Sequence, residues 1–194
     1  MSNNKIINKD LVDYFMYLDA KEFYKAALIL KQTDDIGSNP YYTLMAFSIE
    51  LFLKCICVTE TVIPEGRAIL TNVHKDHVQG HLLNKIFEEL AEKEPKVAEA
   101  LEKNYLKHYG FSLKDDLAIN TSLFMDARYT YPKDGRPFGP KREYEYKPLF
   151  GNSPQKRYGI QIDIRALESV AEFLDGAVDD FFAIMTGQYR GSDW

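Results

Sequence analysis

Between Pro40 and Val58 the chain is apolar except for two charges, Glu50 and Lys54, which stand four residues apart with the acid nearer the N-terminus. On a helix this spacing places both on one face, in the order that favours an intrahelical ion pair. Such a pair either lines a polar pocket opening onto the surface or is satisfied inside the fold or at a dimer seam. The second reading is preferred, because structural ion pairs bury charge as readily as active sites do. His81 follows Gly80 at the start of another periodic segment. An imidazole there could act as a general base, and it equally suits a capping or packing role at a helix start. His74, His77 and His81 are spaced i, i+3 and i+7 beside Asp76, which on a helix would align three imidazoles as a zinc site needs. Gly80 interrupts that helix and no fourth ligand is in sight, so neither a metal nor any cofactor is expected.

Binding chemistry concentrates elsewhere. Residues 129–160 carry seven bases against three acids, a net +4 in a chain of net −5. Tyrosines alternate with these bases, and Tyr129, Arg136, Lys141, Arg142, Tyr144 and Tyr146 are the candidates for stacking nucleobases and neutralising phosphates of a single strand. The competing reading folds this segment back on the body, with its aromatics buried and its bases balancing an acidic surface. The overall charge of −5 argues against wholesale coating of nucleic acid.

Several helices must position these groups. Leu11 to Lys31 has helical periodicity, with a capping-box pattern at Asp19 and Glu22 that leaves one or two helices open. A turn-rich link, residues 33–39, leads to Pro40 and the central helix over residues 40–58, which is apolar on its remaining faces and therefore internal. Nineteen residues nearly span a bilayer, but each central charge would cost about 2.5–3.5 kcal/mol there. Helices follow over Leu82 to Leu90, from Pro95 to a stop near Gly110, and over residues 113–127 with Ser112 as N-cap, the last weakened by Asn120 and Thr121. Glu143-Tyr144-Glu145-Tyr146 alternates as a short strand would. A long amphipathic helix over residues 162–185 closes the chain, and residues 187–194 read as a flexible tail.

The expectation is one all-α domain over residues 1–194: an up-and-down bundle of five or six helices, with the 129–160 insertion open to a small β-hairpin. At 194 residues and 45% hydrophobic composition it can bury a sizeable core. The first ten residues lack an apolar signal core, so a cytoplasmic protein with no membrane contact is expected. Cys55 and Cys57, two apart on the central helix, point in different directions and read as small core residues rather than a disulfide.

The chain resembles the HEPN superfamily of small helical bundles. The likeness rests on Phe23-Tyr24-Lys25-Ala26-Ala27-Leu28-Ile29-Leu30 followed by Phe47-Ser48-Ile49-Glu50-Leu51-Phe52-Leu53-Lys54, on Gly80-His81-Leu82-Leu83, and on Ala127-Arg128-Tyr129 ahead of an insertion and a terminal helix. The resemblance implies a bundle that commonly forms homodimers, binds nucleotides or RNA, and in active members cleaves RNA without metal, often as a toxin held by an antitoxin partner. In those members an Arg holds the phosphate and a His, after four to six intervening residues, handles the proton at the ribose 2′-hydroxyl. Arg128 matches the Arg, but no histidine follows His108. Arg67 and His74 have the spacing but sit ahead of the third helix, where the family does not keep the pair. A nucleotide- or RNA-binding or dimeric module is therefore expected. A ribonuclease with a divergent site is the alternative, with Glu50, Lys54, His81 and Arg128 its weak catalytic candidates.

Overall fold

The computed structural model describes residues 6–33, 38–64, 71–128, 143–146, 155–158 and 162–186. Its body is an all-α helical bundle built around helix α2, Ser38–Cys55. Met45, Ala46, Ile49, Phe52 and Leu53 of α2 are buried, as an internal helix requires. Each large side chain among them contributes about 1.5–3 kcal/mol of apolar transfer. Around α2 lie α1 (Tyr14–Lys31), α3 (Leu83–Lys93), α6 (Leu123–Ala127) and α7 (Ile164–Asp179), all in direct contact with it. The next layer is formed by α4 (Pro95–Tyr109), α5 (Leu113–Ile119) and α8 (Phe181–Thr186).

Two boundaries at the N-terminal end differ from the periodicity reading. Residues Ile6–Val12 form strand β1, so the first helix starts at Tyr14, and α1 then runs unbroken past Asp19. The central helix ends at Cys55 rather than Val58, where the chain becomes strand β2, Ile56–Pro64, followed by β3, Thr71–Asp76. The order β1-β2-β3 is antiparallel throughout, with Val12 opposite Ile56 and Thr61 opposite His74. The physical reason is the run Val58-Thr59-Glu60-Thr61-Val62-Ile63: β-branched side chains are stiff in a helix and pack well on a pleated surface. Asp13 joins the two motifs. Its carboxylate accepts from the Phe15 and Met16 amides at 3.1 Å each, capping α1, while its own amide donates to the Cys55 carbonyl at 2.7 Å at the end of α2.

The later helices are cut by capping residues. Gly110, at φ 75°, sits in the left-handed region that closes α4, and the Ser112 side chain caps α5 by accepting from the Asp115 amide. The expected helix over residues 113–127 splits into α5 and α6 at Asn120-Thr121-Ser122. The closing helix also splits: Asp180 ends α7 and accepts from the Ala183 amide at 3.2 Å to start α8. The hairpin in the insertion is present as β4 (Glu143–Tyr146) and β5 (Gln155–Tyr158), with Tyr144 opposite Arg157. Cys55 is buried in the core, and Cys57 falls in β2. No helix among the described residues is long and apolar enough to cross a membrane. The tail, residues 187–194, lies outside the described residues.

Candidate functional site

Glu50 and Lys54 are buried, 1% and 8% exposed, and Lys54 Nζ donates to Glu50 Oε1 at 2.7 Å. The same oxygen lies 3.0 Å from His81 Nδ1. The two charges thus pair inside the fold through Glu50 Oε1, and the pair also reaches the surface through a histidine whose side chain is half exposed. An ionised carboxylate only accepts, so in neutral His81 the Nδ1 nitrogen carries the proton and Nε2 keeps its lone pair. Glu50 Oε2 is buried without a hydrogen-bond partner. A buried carboxylate oxygen in that state is costly, so this is a strained point of the core.

One turn, Asn120-Thr121-Ser122, fixes the start of α3 next to His81. His81 is not a cap: the N-cap position of α3 belongs to Leu82, which makes no side-chain cap. Instead the Thr121 carbonyl accepts from the Leu83 amide at 3.1 Å and the Thr121 hydroxyl accepts from the Asn84 amide at 3.3 Å. The Thr121 hydroxyl in turn donates to the Asn84 side-chain oxygen. Neighbouring Asn120 reaches the other way, donating to the Asp163 carbonyl at 2.9 Å and accepting from the Asp163 amide at 3.2 Å, at the start of α7. The polar pair that weakens the helical pattern therefore latches two other helix starts.

That turn leads into α6, which carries Phe124 and, at its C-cap, Arg128. The Phe124 ring stacks on Phe47 of α2 at 4.7 Å, lies 5.7 Å from the His81 ring and has the Arg128 guanidinium 4.7 Å above it. Arg128 Nη2 also contacts Met125 Sδ at 3.1 Å. All four catalytic candidates of the sequence thus gather around α2, the α3 entrance and α6. Exposed Leu82 and Met125 border the group. Sequence reading missed Phe124 and Thr121, whose roles rest on contacts between distant elements.

The zinc-like spacing does not survive folding. His74 lies in β3, and His77 and His81 are in the non-helical segment before α3, so no helix aligns them. Among the described residues no group of three or more His, Cys, Asp or Glu is gathered for a metal. Of the insertion candidates, Tyr129, Arg136, Lys141 and Arg142 lie outside the described residues, as does Arg67. Tyr144 and Tyr146 are placed in β4 by its pairing with β5.

A second polar cluster joins α1, α2 and α7. The Tyr17 hydroxyl donates to Asp179 Oδ1 at 2.8 Å and accepts from Lys21 Nζ at 2.8 Å. Tyr41 donates to Glu168 Oε1 at 2.6 Å, and Lys31 reaches the same oxygen at 2.7 Å. Asp175 is buried beside Lys21 at 3.5 Å, yet its Oδ1 has no hydrogen bond. Burial pushes the Asp175 carboxyl up, and the Lys21 charge only partly offsets this. A folded state that favours the protonated acid gains from it at low pH and loses that contribution as pH rises through the folded value. Asp175→Asn, which mimics the neutral acid, is therefore expected to raise the urea midpoint at neutral pH and to make no difference at acid pH. A lower midpoint at neutral pH would mean that the Lys21 pair outweighs burial.

Comparison with protein-family models, curated proteins and solved structures gives no match to this chain.

Proposed function

We propose that this protein is a divergent HEPN-type bundle that binds single-stranded RNA or a nucleotide at the surface made by His81, Phe124 and Arg128, and that it works as a homodimer. The supporting observation is that a half-exposed imidazole, held by the buried Glu50, and a guanidinium both lie against the ring of Phe124. A guanidinium suits phosphate through its fork of donors, and an Arg–aromatic stack extends naturally to a nucleobase. His81 Nε2 faces a ligand as an acceptor when neutral and as a donor when charged. The basic, tyrosine-rich insertion supplies further cations and rings. A defence or toxin–antitoxin system, with an antitoxin as partner, is the setting this reading implies.

The test is fluorescence anisotropy of a labelled single-stranded RNA across a salt series. Arg128→Ala is expected to weaken binding and flatten the salt slope by roughly one unit for a lost phosphate contact, and the Arg136, Lys141, Arg142 triple alanine variant to flatten it further. Tyr144→Ala is expected to cost about 1–3 kcal/mol with the slope unchanged, because stacking releases no counterions. Absence of binding at low salt would overturn the proposal.

The Glu50–His81 hydrogen bond favours a second reading, metal-independent RNA cleavage. His81 Nε2 would accept the proton of a ribose 2′-hydroxyl as that oxygen attacks phosphorus and the bond to the 5′-oxygen breaks, with Arg128 near the developing charge and the His81 imidazolium returning the proton to the departing 5′-oxygen. Incubation with tRNA and total RNA in the absence of metal, giving ends with 2′,3′-cyclic phosphate that disappear in His81→Ala, would establish it. Intact RNA would leave binding alone.

A further inference from the structure

Helix α1 leaves a stripe of five side chains exposed to solvent. Phe15, Leu18, Glu22, Lys25 and Ile29 recur at alternating spacings of three and four, and all five are exposed. Phe15 is 74% and Ile29 67% exposed, whereas Tyr17, Ala20 and Ala27 on the opposite face are buried. Residues at these spacings form one seam along the helix, about 21 Å long at 1.5 Å per residue. The large apolar side chains stand at its two ends, Phe15 and Leu18 at one and Ile29 at the other, and the charged Glu22 and Lys25 occupy its middle.

We infer that this face of α1 packs against the same face of a second copy of the chain, with the two helices antiparallel. The inference rests on the dimeric part of the proposed function and names its surface. Charge selects both the occupant and the direction. In an antiparallel pair centred between residues 23 and 24, Leu18 of each copy meets Ile29 of the other, and Glu22 of each meets Lys25 of the other. Four of the five residues therefore pair within the stripe, with a Leu18–Ile29 contact at each end and two ion pairs in the middle, while Phe15 falls opposite Gln32 of the other copy. A parallel pair would set Glu22 against Glu22 and Lys25 against Lys25, which repel. Charged residues at the centre of such a seam weaken it but fix register and orientation.

The test is the mass in solution over a concentration series by analytical ultracentrifugation, for the parent and for variants on this exposed face, each checked for unchanged helicity. The parent is expected to be a dimer, with Leu18→Glu and Ile29→Glu each weakening association at least roughly tenfold. Glu22→Lys and Lys25→Glu should each weaken it as well, and the two together should restore it. A parent that stays monomeric, leaving the face to a different protein, would overturn this inference and the dimeric reading together. A parent dimer unaffected by Ile29→Glu, or a double charge exchange that fails to restore association, would overturn this surface while the dimeric reading stands.

Discussion

Glu50→Ala is expected to lower the free energy of unfolding by about 3–5 kcal/mol, the cost of leaving one partner of a buried ion pair alone. Lys54 is 8% exposed and its ammonium donates to Glu50 Oε1, so without Glu50 a positive charge stays in the core opposite nothing. Lys54→Ala is expected to cost less, because the remaining carboxylate keeps its contact with His81 at 3.0 Å. Changing Glu50 and Lys54 together to Leu and Met should cost less than either single change. It removes both charges and also the buried Glu50 Oε2, which has no hydrogen bond. Urea unfolding of the three variants decides this. If the double variant is the least stable, the two charges are not a buried unit.

The second large effect lies where α5 meets α7. Asp116 is 3% exposed and accepts from Arg165 Nη1 and Nη2 at 2.7 Å each and from the Tyr105 hydroxyl at 2.6 Å. Asp116→Ala is expected to cost about 3 kcal/mol, since the Tyr105 hydroxyl is left in the core without its acceptor and a two-pronged charged contact is lost. Burial by itself would raise the Asp116 carboxyl, but hydrogen bonds from Arg165 and Tyr105 outweigh it and hold the group below its ordinary value. For an acid held low, the stabilisation is complete above the unfolded value and disappears as pH falls through the folded one. Urea midpoints measured from neutral to strongly acid pH should therefore fall less steeply in Asp116→Ala than in the parent. An equal slope would mean that Asp116 does not contribute to acid sensitivity.

Much of the helical layout was legible from local signals. Pro40 and Pro95 near helix starts, Gly110 after a helix end and Ser112 at an N-cap act within a few residues, so the pattern carries them. The sheet was not legible. Continuing the apolar run of α2 to Val58 hid a β-branched stretch that pairs on one side with residues 6–12, distant in sequence, and on the other with residues 71–76, after six intervening residues. Asn120 and Thr121 were legible only as helix weakeners. Their actual work, latching the starts of α7 and α3, depends on contacts with Asp163 and Asn84 that no local pattern encodes. The site was legible in the same partial way. Spacing gave the Glu50–Lys54 pair, but its junction with His81 is made across 31 residues, and Phe124 carried no chemical signal until its ring was found in contact with both His81 and Arg128.

The most direct test of the proposed binding surface is the nitrogen NMR spectrum of the histidine side chains, with His81 assigned through His81→Gln, recorded with and without a short single-stranded RNA at a pH where imidazoles are neutral. The expected result is His81 protonated at Nδ1, as its contact with Glu50 requires, with an Nε2 resonance that moves on addition of RNA while that of His108 stays in place. A proton on Nε2, or RNA binding that leaves His81 unmoved, would contradict the account.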